Sequence, residues 1–133
     1  MSATFELEME VRDYELDFQG IVNNAVYLNY LEFTRHKYLD AKGLNFVDLH
    51  RNGIDLVVSR NEIDYKQSLR AGDRFVVTVG TEMVGHVRLV FHQQILRLPE
   101  RTVCIKAKVT GVALRNGRPI PVTEIPNHQN LTA

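Results

Sequence analysis

One stretch of this sequence has the apolar spacing of a long helix, Asn23 to Lys42, and from Ile54 to Arg115 the residues alternate apolar and polar. Apolar positions three and four apart share a helix face, whereas positions two apart share a strand face. That imbalance is the strongest constraint on the fold. A lone long helix has no equal helix to pack against, so the sheet must cover it. The first half, "AVYLNYL", is apolar on nearly every side, as in a helix surrounded by protein. The second half, "EFTRHKYLD", is amphipathic and is expected to emerge towards solvent or a partner. Asn23 is a candidate N-cap, Val22 and Tyr27 fit a hydrophobic staple, and Gly43 suits the position just past the end.

The flanking elements follow from the same reading. "TFELEMEVR" (Thr4 to Arg12) alternates strictly and predicts a half-buried strand. "LNFVDLHRNG" (Leu44 to Gly53) predicts a short helix closed by Gly53. "IDLVVSRNEIDYKQ", "FVVTVGTEMV", "HVRLVFHQQILRL" and "TVCIKAKVTGVALR" predict four long strands, turning at "SLRAGDR", Gly85 and "PER". Asn116-Gly117 signals a tight turn. "RPIPVTEIP" is too rich in proline for a central strand and reads as an edge or tail, and "NHQNLTA" as a loose end. Strands joined by short turns predict a meander. The expected fold is α+β: a curved antiparallel sheet of about five strands wrapped around one long buried helix, in a single domain over residues 1–133. A chain of that length buries enough surface to fold without disulfides or metal. An exposed sheet edge predicts a homodimer or homotetramer.

Several function classes have no support. Formal net charge is +0, which gives no electrostatic reason to expect nucleic acid or an anionic membrane as partner. Cys104, the single cysteine, cannot form an internal disulfide and reads as a packing residue suited to a reducing compartment. "MSATFELEME" resembles neither a signal nor a transit peptide, and no apolar run approaches the ~18 residues of a membrane span, so a cytoplasmic protein is expected. No phosphate-cradling glycine loop and no G-x-S-x-G elbow occurs, and the five histidines are scattered. No cofactor and no metal are expected.

"DYELDFQGIVNNAVY" (Asp13 to Tyr27) remains. A carboxylate, Asp17, precedes Gly20 by three residues, and a helix begins just beyond. Free N–H groups at a helix start bind anionic oxygen. A carboxylate on a loop that bends at Gly20 can reach the same point, as a nucleophile or base beside an oxyanion hole. The other reading makes Asp17 a turn-forming residue, as loop aspartates usually are. Asp13 and Glu15, in the same loop, lack the spacing to Gly20 and are expected to matter far less.

"LDFQGIVNNAVYLNYLEFTR" resembles the signature of hotdog-fold thioesterases of the 4-hydroxybenzoyl-CoA thioesterase type, with Asp17, Gly20, Val22, Tyr27 and Arg35 on the pattern. Within that family, "DYELDFQGIVNNAVY" and "SLRAGDRFVV" are most similar to plant acyl-ACP lipid thioesterases and their bacterial relatives. The resemblance runs from the first strand to "RNGRPIPV". It implies hydrolysis of acyl-CoA or acyl-ACP thioesters to a free fatty or 3-oxo acid and a thiol. It makes Asp17 the catalytic carboxylate and the backbone N–H of Asn24 the carbonyl-polarising donor. The side chain of Asn24 departs from the bulky residue of some relatives, so only its amide is carried over. Gly20, Tyr27 and Arg35 would bind substrate; core packing is the other reading of Tyr27. Arg35 lies about 16 Å along the helix from Asn24 at 1.5 Å per residue, too far to reach Asp17 of its own chain, and an i,i+3 pair with Glu32 is its other reading. Arg60, Lys66, Arg70, Arg74 and Arg88 offer cations for carrier phosphates or form a solvated surface. Two alternatives are a non-catalytic acyl-binding hotdog module and a hotdog dehydratase. The dehydratase needs a histidine near the glycine or the early helix, where none occurs.

Overall fold

The computed structural model describes residues 5–132. In chain order the elements are β1 (Phe5–Glu10), α1 (Val26–Ala41), α2 (Phe46–Arg51), β2 (Ile54–Tyr65), β3 (Arg74–Val84), β4 (Arg88–Arg97), β5 (Thr102–Arg115) and β6 (Arg118–Ile120). Thr4, the expected first residue of β1, lies outside the described residues. All strand pairs are antiparallel, in the order β1-β3-β4-β5-β2, with the short β6 also on β5.

The expected meander holds only for β3, β4 and β5. β2 does not turn back onto β3; it pairs with β5 at the far edge, with Ile54 opposite Arg115 and Tyr65 opposite Ile105. The chain between β2 and β3 crosses instead over the start of α1. Leu69 in that crossing is fully buried. Its N–H donates to the Tyr27 hydroxyl at 3.0 Å, and its carbonyl accepts from Val22 N–H at 2.9 Å. A short hairpin would forgo both bonds and leave Leu69 in water.

The buried residues of α1 are Tyr27, Tyr30, Leu31, Thr34, Arg35, Tyr38 and Leu39, the three-and-four spacing of one helix face. They pack on inward residues of the central strands, among them Phe75, Val77, Phe91, Ile95, Ile105 and Val109. The expectation that protein surrounds the first half of α1 is corrected: Leu28 is 37% exposed and Asn29 beside it is exposed too. The second half is amphipathic as expected: Glu32, Phe33, Lys37 and Asp40 are exposed, while Tyr38 and Leu39 on the other face are among the most buried residues. One sheet covers one side of a helix, and among the described residues the other side is left partly open. The helix also starts later than Asn23. Asn23 first forms a turn, its Oδ1 accepting from Ala25 N–H at 2.9 Å and its carbonyl from Val26 N–H at 2.9 Å.

The C-terminal segment is not loose. Leu131 is 1% exposed, and its carbonyl accepts from the Tyr38 hydroxyl at 2.9 Å and from the Thr81 hydroxyl. Asn130 and Asn127 donate to the carbonyls of Lys42 and Gly43, at 2.9 and 3.0 Å. Those carbonyls end α1 and have no helical partner, which is why two polar tail residues settle there. Composition marked the segment as mobile because its contacts are all distant in sequence. Leu131→Ala should therefore lower unfolding free energy by ~2–5 kcal/mol in urea titrations; a change near zero would show that the tail is not part of the core.

Candidate active site

Between β1 and α1 the chain folds back on itself. Leu16 and Val22 pair across a tight loop. Asp17 N–H donates to the Ile21 carbonyl at 2.8 Å and Gly20 N–H to the Asp17 carbonyl at 3.1 Å. Gly20 has φ +77°, a conformation in which a side chain would be strained. Asp17 Oδ1 accepts from Gln19 N–H at 2.8 Å and from Ile21 N–H at 3.4 Å. Asp17 thus shapes the turn, as its simpler reading requires. Its Oδ2, however, has no hydrogen-bond partner among the described residues, so one carboxylate oxygen holds the loop and the other is available.

The loop then delivers the chain to the start of α1. Asn23 N–H donates to the Glu15 carbonyl at 2.9 Å. The next N–H, that of Asn24, has no acceptor among the described residues, and the Tyr65 hydroxyl holds the Asn24 carbonyl at 3.3 Å. Asp17, Asn24, Tyr27, Tyr65, Lys66 and Ser68 line one groove of about 560 Å³. Tyr27 forms part of its wall. Its ring packs edge-on against Tyr65 at 5.8 Å and Tyr30 at 6.1 Å. Gly20 acts through the backbone turn, and its own atoms are not part of that lining.

Arg35 is not brought to this groove. It is 8% exposed, its Nη1 donates to Gln93 Oε1 at 3.0 Å, and its guanidinium lies 5.7 Å from the centre of the Phe91 ring. Burial lowers its pKa, and the charge of Glu32 opposes that only in part. The Glu32 carboxylate reaches His36 at 3.6 Å, and the i,i+3 pair with Arg35 is not formed. Of the five candidate phosphate-binding cations, Lys66 lines the groove, while Arg74 is bonded to Glu8 and Arg60 lies 3.5 Å from Glu62. Among the described residues, no group of three or more His, Cys, Asp and Glu side chains could hold a metal ion.

Sequence reasoning missed two residues. Glu15, set aside with Asp13 as a minor residue, is 8% exposed and accepts from the Tyr30 hydroxyl at 2.7 Å and from Arg12 N–H at 2.8 Å. It ties the loop to α1. The available signal was Tyr30, whose hydroxyl on the buried helix face needed an acceptor. Tyr65 reads only as the end of a strand, and nothing local places it over Asn24.

The arrangement joins an unpartnered carboxylate oxygen to an unpartnered N–H at the entry to a helix. The first can act as nucleophile or base, and the second can stabilise a developing oxyanion.

A family model described as "Thioesterase-like superfamily" matches residues 11–130. The chain is 42% identical over 124 residues to "Acyl-acyl carrier protein thioesterase ATL2, chloroplastic" of Arabidopsis thaliana, covering 92% of this chain and 64% of that protein. It therefore spans just under two thirds of that relative. It is 28% identical over 109 residues to "Long-chain acyl-CoA thioesterase FadM" of Escherichia coli (strain K12), covering 82% of each. A thioesterase from Thermus thermophilus, solved in complex with coenzyme A and Zn, superposes with a TM-score of 0.84 at 30% identity, covering 99% of this chain and 100% of the other.

Burial raises the pKa of Tyr30, and its bond to Glu15 raises it further; burial also raises that of Tyr27. The folded chain keeps these protons where the unfolded chain begins to release them, near pH ~10. Their contribution to stability is present below that pH and is lost as pH rises above it. Denaturation midpoints should fall above pH ~10, and less steeply in Tyr30→Phe. Identical slopes in the two proteins would contradict the burial argument.

Proposed function

This chain belongs to the thioesterase-like superfamily and has its hotdog fold, and from that membership we propose that it hydrolyses acyl-CoA or acyl-ACP thioesters to a free acid and a thiol. The observation that carries the reading is that Asp17 Oδ2 and the Asn24 N–H are both unpartnered at one groove, among the described residues. The thioester carbonyl oxygen accepts from the Asn24 N–H, which polarises it and holds the charge of the tetrahedral intermediate. One such donor contributes roughly 10²–10³ in rate.

Two routes use Asp17. As nucleophile, Oδ2 attacks the carbonyl carbon, the C–S bond breaks, the thiolate leaves, and water cleaves the mixed anhydride. As base, Oδ2 takes a proton from an attacking water and returns it to the departing thiolate. In either route the bonds to Oδ1 hold the carboxylate in orientation. Gly20 permits the turn that sets it there, Tyr27 on the groove wall would contact the acyl group, and Lys66 on the same wall offers a cation for a carrier phosphate. A dehydratase would need a histidine, and none lines this groove. An acyl-binding module gains nothing from a carboxylate oxygen without a partner.

The same reading takes residues 1–133 as one thioesterase domain, forming a homodimer or homotetramer in the cytoplasm, and free fatty or 3-oxo acids as its products. β2 supports the oligomer: it is an edge strand of 12 residues with Val57 38%, Val58 47% and Tyr65 53% exposed. The exposed Leu28 and Phe33 add a helix face that one chain leaves uncovered. No described helix is long and apolar enough to cross a membrane.

Asp17→Asn should lower turnover on acyl-CoA and acyl-ACP by at least ~10². Folding should be kept, because the asparagine Oδ1 can accept the same two N–H bonds. A folded variant that hydrolyses both substrates at the parent rate would reduce Asp17 to a turn residue and refute the mechanism. Light scattering at micromolar concentration should give at least a dimer; a monomer would contradict the proposed assembly.

A further inference from the structure

Arg35 is 8% exposed, and among the described residues its guanidinium has one hydrogen bond, to Gln93, and no carboxylate at ion-pairing distance. A guanidinium has five N–H donors. Gln93 cannot shift to satisfy more of them, because its Nε2 donates to the Leu31 carbonyl at 3.1 Å and it is itself 2% exposed. Arg35 also borders a cavity of about 90 Å³, whose other walls include Leu39, Phe46, Leu56, Phe91 and Gly111. That cavity shares no lining residue with the Asp17 groove.

A buried cation without a counter-charge is costly, and a planar fork of donors matches a carboxylate or a phosphate through two parallel bonds. Apart from Arg35 and His36 the side chains that line it are apolar, which disfavours the more strongly hydrated phosphate dianion. The volume equals about three waters at ~30 Å³ each, enough for a carboxyl group and the start of a tail. We propose that this cavity binds the carboxylate of a short-chain monocarboxylic acid on Arg35. That such an acid is also the class of product released at the Asp17 groove rests on the proposed hydrolysis; the binding does not.

The test is a calorimetric titration of the full chain, in its own oligomeric state, with butyrate. Saturable binding is expected, with butanamide weaker by at least ~10-fold and inorganic phosphate showing none. Arg35→Met should weaken butyrate by at least ~10-fold. Because removing Arg35 can disturb the core, Gly111→Ala is the second variant. An added Cβ there meets Val57 O at 3.5 Å, Leu89 O at 3.6 Å and Phe91 Cε2 at 3.7 Å, all ordinary contacts, so the fold accepts it while the cavity narrows. Gly111→Ala should bind butyrate more weakly, with its melting temperature and its hydrolysis of acyl-CoA unchanged. Failure of butyrate to bind the parent overturns the proposal, including the case in which a carboxylate of a second copy fills the cavity. Undiminished binding in a folded variant overturns it too. If the parent binds butyrate but hydrolyses no thioester, the proposed function falls and the carboxylate site stands.

Discussion

The bond from Leu69 N–H to the Tyr27 hydroxyl is the contact on which the rest of the site depends. It fastens the crossing between β2 and β3 to the first turn of α1. With that crossing in place, β2 is free to lie against β5, and its last residue, Tyr65, stands over the Asn24 carbonyl. The same crossing takes Val22 N–H on the Leu69 carbonyl, so the loop carrying Asp17 is held at its far end as well. Loop, helix start and strand end thus share one anchor, and the groove is the space they leave between them.

Buried polar pairs fix how α1 is turned against the sheet. Tyr30 reaches Glu15 on one side, Arg35 reaches Gln93 at the middle, and Tyr38 reaches Thr81 and Leu131 further along. Apolar contacts alone tolerate small rotations of a helix, since they are not directional. Hydrogen bonds in a dry interior do not, because a misplaced donor loses its partner and finds no water. The Asn24 N–H, unpartnered among the described residues, is therefore held in direction by bonds made about two to four turns away.

Much of this was legible in the amino-acid order, for particular reasons. The period of the apolar residues located α1 and all the long strands, since burial on one face imposes that period directly. Asp17, Gly20 and the entry to α1 could be read because a turn and a helix start are local events. Strand order could not be read: "SLRAGDR" looks like a hairpin turn, and only the burial of Leu69 against a helix more than forty residues earlier makes it a crossing. Glu15, Tyr65 and Leu131 were misjudged on the same ground, since each gains its meaning from a partner distant in the chain. Arg35 was read through Glu32, its neighbour on the helix, while its actual partner lies on β4.

The strand order β1-β3-β4-β5-β2 has a consequence for synthesis. As the chain leaves the ribosome, β1 and β2 emerge before the strands they pair with, and α1 before the central strands it packs on. β1 waits for β3, and β2 waits for β5, which is last of the long strands. Throughout that interval the tyrosines and leucines of α1 have no sheet to cover them, and long-range pairing of this kind closes slowly. The segment that caps α1, through Asn127, Asn130 and Leu131, emerges after every strand of the sheet. A chain arrested before that segment leaves the end of α1 uncapped, however much of the sheet has formed.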